Sequence, residues 1–140
     1  MYQGIPSGGE EFYNLLFESD EFSSELGRVA LAAGRLESEL ILFYNRNNID
    51  ENFSKATLGH LIKIGKDKNL LDKNLFIALD MICRQRNYLM HNIHALLTNL
   101  IDETILEGRN LLDSDVHTYI DRAWQLGENL NHLAGVIKNK

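Results

Sequence analysis

One proline, at position 6, stands in a chain of 140 residues, and residues 7–140 contain none. Proline removes a backbone donor and clashes with the preceding helical turn, so its absence permits long uninterrupted helices over nearly the whole chain. The apolar spacing uses that permission. Phe22, Leu26, Val29, Ala33, Leu36, Leu40 and Phe43 recur at steps of four and three. That period places seven apolar side chains in one helical stripe. No alternating β pattern competes with it.

The remaining helices follow from the same reading. A short helix is expected from Glu10 to Ser19. Asp20 is the expected N-cap of the second helix, and Asn45-Arg46-Asn47-Asn48 its end. Ser54 is the expected cap of a third, with Leu58, Leu61 and Ile62 inward and an end near Asp67-Lys68-Asn69. Asp72 is the expected cap of the fourth, whose stripe runs Leu75, Leu79, Ile82, Arg86, Leu89, Ile93, Leu96, Leu100. A last helix extends from about Ser114 towards Lys138, with Val116, Ile120, Ala123, Leu130, Ala134 and Ile137 on one side. Residues 102–112 leave a small hairpin and a plain loop both open. The expectation is an all-α fold in one domain over residues 10–140, after a flexible leader at residues 1–9. Its four main helices and one short helix would form an antiparallel bundle, because the connections are mostly short.

Charge and composition exclude several classes. Fourteen basic and twenty acidic residues give a net charge of −6, which rules out a uniformly basic nucleic-acid coat but not a discrete site. Cys83 is the only cysteine, so no intrachain disulfide forms. No segment approaches the roughly 20 apolar residues of a membrane helix. The N-terminus does not read as a signal peptide, and a cytoplasmic location is the default expectation. His91 and His94 are three apart, but the paired Glu-x-x-His motifs of diiron bundles are missing. Neither a P-loop nor a Gly-x-Ser-x-Gly elbow occurs. No cofactor or metal is expected. Lys63, Lys66 and Lys68 read as a solvated face.

One segment carries chemistry: Arg84-Gln85-Arg86-Asn87-Tyr88-Leu89-Met90-His91-Asn92-Ile93-His94. Arg86 falls in the middle of an otherwise apolar seam. Arg86 and His91 are separated by four residues, with Asn87 directly after the arginine. Here the chain resembles the HEPN superfamily of small all-helical domains, many of them ribonucleases, whose hallmark is an Arg followed four to six residues later by a His. The resemblance implies a homodimer that cleaves RNA without a metal, as toxins of toxin–antitoxin or phage-defence systems do. It implies RNA as substrate, an antitoxin protein as a further partner, and neither DNA nor a membrane. Many toxins of this family paired with nucleotidyltransferase antitoxins carry His-x-Tyr at the motif's end, and here Ile93 stands in the tyrosine's place.

The implied roles fit the chemistry of each side chain. RNA carries its own nucleophile in the 2′-OH. Histidine exchanges protons near neutral pH, so His91 is the candidate general acid or base. The planar guanidinium matches phosphate oxygens, so Arg86 is the candidate phosphate clamp, with Asn87 orienting it or the substrate. Arg84 and His94 are candidate binding residues. Five steps of about 100° put His91 roughly 140° around the helix from Arg86. Seven steps from Arg84 return to nearly the same face. The motif therefore favours Arg86 and the helical wheel favours Arg84. Three plainer roles stay open: an Arg86 neutralised by Glu37 or Glu39 of the second helix, a domain that binds RNA or nucleotides without cutting, and a protein-interaction module. Tyr88 and Trp124 read as packing or interface aromatics, and Met90, Leu96 and Leu97 as an apolar surplus suited to dimerisation.

Overall fold

The structure, a computed structural model, describes residues 8–98 and 115–140, with only the backbone described at positions 92, 94, 95 and 98. Most of the leader, the 102–112 connection and Leu100 lie outside the described residues. Five helices are seen: α1 (Gly9–Glu18), α2 (Asp20–Arg46), α3 (Leu58–Asp67), α4 (Lys73–Thr98) and α5 (Asp115–Lys138). No strand occurs among the described residues, so the fold is all-α.

The helix ends show which local signals win. Ser19, not Asp20, caps α2: its Oγ accepts the Phe22 N–H at 3.0 Å. Asp20 and Glu21 then occupy the first turn, where negative charge suits the exposed N–H groups. Thr57, not Ser54, caps α3, accepting the His60 N–H at 3.2 Å. The Ser54 N–H is taken by Asn52 Oδ1 at 3.0 Å, and buried Phe53 pins that loop against Tyr44, ring centroids 5.9 Å apart. Asp72 caps α4 as expected, accepting the Leu75 N–H at 2.8 Å. Helices α2 and α3 end alike. Asn48 (φ 59°) and Asn69 (φ 57°) take the left-handed conformation, which asparagine tolerates better than most residues. The next amides, of Ile49 and Leu70, reach back to the Tyr44 and Gly65 carbonyls at 3.0 and 2.9 Å. This closes orphan carbonyls at both ends in the Schellman manner.

Helices α2 and α5 form the main contact of the helical bundle. Phe22 meets Tyr119, Val29 approaches the Cα of Gly127, Arg35 donates to Asn131 Oδ1 at 2.7 Å, and Arg46 donates to the Ile137 carbonyl at 3.3 Å. Residue numbers rise together along both helices, so α2 and α5 run parallel. The antiparallel expectation rested on short connections, and these two helices are not consecutive in the chain. Consecutive α3 and α4 do run antiparallel, since Gly59 lies by Cys83 and the Lys66 ammonium sits 4.9 Å over the Phe76 ring. The expected stripe of α2 is buried, save Leu26, which is half-buried at its edge, and Tyr44 joins it. In α5, Tyr119 and Leu126 are buried beside the expected stripe.

Two tyrosines tie the helices together. Tyr119 meets Phe12 of α1 at 5.3 Å and Phe22 of α2 at 6.1 Å, ring centroid to centroid. Tyr44 donates its hydroxyl to the Leu61 carbonyl at 2.5 Å, locking α3 onto α2. That lock depends on Gly65, where a methyl group would collide with the Tyr44 hydroxyl and the Leu71 side chain.

Burial pushes both phenols up from 10 to about 12. At Tyr44 the Gly65 backbone offsets part of the rise. At Tyr119 the Arg122 charge offsets part of it and Asp115 adds to it. A folded pKa above the unfolded one favours folding below the unfolded pKa, and that gain disappears as pH rises through the folded value. Thermal stability is therefore expected to fall as pH climbs from 10 to about 12. Melting curves across that window check it, and Tyr44→Phe should make the fall shallower.

Candidate functional site

Helix α4 presents two dissimilar faces. Leu75, Leu79, Ile82, Leu89 and Leu96 are buried, and Ile77, Met81, Arg84 and Tyr88 recur at steps of four, three and four on the open side. The expected seam is thus present, with Arg86 in it. Met90 and Leu97 are half-exposed, whereas Leu96, expected with them on the surface, is buried in the core.

Arg86 points towards α2. Its Nη1 lies 3.6 Å from Glu37 Oε1, and its Nη2 donates to Asn87 Oδ1 at 3.1 Å. The arginine side chain keeps 26% of its surface exposed and that of Glu37 keeps 31%. The pair therefore sits at the margin of the core, where a long polar stem covers apolar surface and its charge stays partly wet. Asn87 also approaches Cys83 Sγ, at 3.9 Å. Burial pushes the Cys83 thiol up, and the Arg86 charge opposes that rise.

His91 lies elsewhere on the helix. Its ring is 6.4 Å from the Tyr88 ring, tilted by 59°. Arg84, four residues before Tyr88, is on that same side, 80% exposed, with its Nε 3.0 Å from Asp80 Oδ2. The structure thus brings Arg84, Tyr88 and His91 together along one flank and joins Arg86 and Asn87 to another. The side chain of His94 lies outside the described residues.

The Arg84 flank opens on a groove of about 710 Å³ between α4 and α5. Ile77, Met81, Leu89 and Leu126 supply its apolar lining. Arg84, Tyr88 and Gln85 from α4 face Arg122, Gln125 and Asn129 from α5. Gln125 donates to Asn129 Oδ1 at 2.9 Å. The Arg122 Nη1 is buried and has no hydrogen-bond partner among the described residues. A buried donor left unmade typically costs about 1–3 kcal/mol, and more when charged. Arg122 is the residue that sequence reasoning missed. Its signal was a second stripe on α5, Tyr119, Arg122, Leu126 and Asn129, beside the expected one. No three His, Cys, Asp or Glu side chains gather into a metal-binding group among the described residues. No described helix is long and apolar enough to cross a membrane.

Compared with protein-family models, curated proteins and solved structures, the chain matches none.

A long, half-solvated ion pair contributes little, and leucine at 86 would complete the run between Ile82 and Leu89. Arg86→Leu is therefore expected to change unfolding free energy by less than about 1 kcal/mol. Urea denaturation measures this, and a loss of several kcal/mol would show Arg86 to be a structural requirement.

Proposed function

We propose that the protein is an endoribonuclease of HEPN type, acting as a homodimer without a metal. The observation that carries this reading is the alignment of Arg84, Tyr88 and His91 along the open flank of α4. In this reading the 2′-OH loses its proton to a base, O2′ attacks phosphorus, and the bond from phosphorus to O5′ breaks as that oxygen gains a proton. His91 gives or takes one of these protons. An arginine spreads the charge growing on the phosphate oxygens. Arg84 suits that task within one chain, because Arg86 is turned towards Glu37. Arg86 then stands outside the chemistry, paired with Glu37 and donating to Asn87. The products would be a 2′,3′-cyclic phosphate and a 5′ hydroxyl. An RNA cleavage assay in EDTA tests the reading. His91→Ala is expected to lose about a hundredfold or more in rate, and equal rates would remove His91 from the chemistry.

Dimerisation belongs to the same reading. Met90 and Leu97 are seven residues apart and 53% exposed each, so they share a flank of α4 that a second copy would cover. Sedimentation at micromolar concentration is expected to give a dimer, and Met90→Asp with Leu97→Asp a monomer. A monomeric wild type would defeat this part of the proposal.

One observation favours a second reading, a domain that holds RNA without cutting it. The Arg86 charge is answered by Glu37 within its own chain. Binding without turnover over hours, on several RNAs, would select it.

A further inference from the structure

We propose that the α4–α5 groove seats one nucleotide of the RNA, with its phosphate at Arg122 and Arg84 and its base laid on Tyr88 over Met81. This rests on the reading of the protein as an RNA-directed domain and adds a residue, Arg122, outside the Arg-to-His motif. Three observations converge on it. First, the groove's volume of about 710 Å³ lies within the usual range for small-molecule sites. Secondly, its charge is complementary to a phosphate: Arg84 and Arg122 stand against the single carboxylate Asp80, which leaves one positive charge on a protein of net charge −6. Thirdly, the Arg122 Nη1 lacks a hydrogen-bond partner among the described residues although it is buried. A turn of the half-buried guanidinium into the groove would bring that donor to an anionic oxygen, and charge-assisted bonds of this kind are stronger than neutral ones.

The other lining groups suit a base better than a peptide or a second helix. Tyr88 offers an aromatic ring beside the exposed Met81 and Ile77, and a base stacks on such a ring whatever its identity. The amides of Gln125 and Asn129 lie on the facing helix and offer donors and acceptors to a base edge. Arg84 is 80% exposed and tied only to the neighbouring Asp80 among the contacts seen, so its fork can turn from that carboxylate to a phosphate. His91, beside Tyr88, would then stand next to the seated nucleotide, as a proton carrier for the adjoining phosphodiester must.

The test separates holding from cutting. The probe is a fluorescent 2′-O-methyl RNA ten nucleotides long, which has no free 2′-OH and stays intact. Anisotropy titrations with the full chain are expected to show Arg122→Gln and Tyr88→Ser each weakening binding at least tenfold. Arg122→Gln should also make the salt dependence shallower by about one unit of log K against log salt. Asp80→Asn should tighten binding, because it removes the competing carboxylate. Arg28→Gln, which removes an equal charge on α2 beside Glu25, should change binding less than twofold. Circular dichroism melts confirm that each variant is folded, and Arg122→Lys provides a milder second variant, expected to lie between Arg122→Gln and wild type. Binding by Arg122→Gln equal to wild type, or an equal loss in Arg28→Gln, would overturn the proposal. So would an absence of binding by the wild type. If no RNA is cut but the Arg122 and Tyr88 variants bind weakly, the groove stands and the nuclease reading falls. If RNA is cut in a His91-dependent way but Arg122→Gln binds normally, the groove falls and the nuclease reading stands.

Discussion

The parallel packing of α2 on α5 is the constraint on which the rest of the molecule depends. Two helices of 27 and 24 residues run side by side from Phe22–Tyr119 at one end to Arg46–Ile137 at the other. Small residues of both helices, Ala33, Ala123 and Ala134, are buried in one core with Leu36 and Leu130, and Val29 lies beside Gly127. With so much of α5 committed to α2, only part of its surface is left for α4. The groove between α4 and α5 exists because that second contact is the lesser one.

Much of this fold was legible in the sequence. The stripes of α2 and α4 and the Asp72 cap followed from spacing alone, since a 3.6-residue period constrains which side chains can share a core. What escaped was set by competition between neighbours. Ser19 and Asp20 are both good caps, and the serine won. Ser54 lost its role to Thr57 once Phe53 was drawn into the core beside Tyr44. The direction of α2 relative to α5 could not be read from loop lengths, because the chain makes two other helices between them.

The candidate site was less legible, for a reason visible at Arg86. A charge inside an apolar seam looks like an exception that chemistry must explain. Here a carboxylate one helix away explains it, at the rim of the core and half in water. Arg84 and Tyr88 line the groove, and His91 lies next to Tyr88 on the same helix. Arg122 was hidden because its importance is relational. The α5 stripe that contains it does not single it out, and only the folded chain shows its Nη1 buried without a hydrogen-bond partner among the described residues.

The corner at Gly65 carries an implication for descent. The Tyr44 hydroxyl and the Leu71 side chain fill the space beside Gly65, so no side chain can be added at 65 alone. Chains that share this ancestry should vary there in concert, a bulkier residue at 65 appearing only alongside a trimmed side chain at 44 or 71. The angle at which α3 leaves α2 would drift with that trade, and with it the course of the chain into α4.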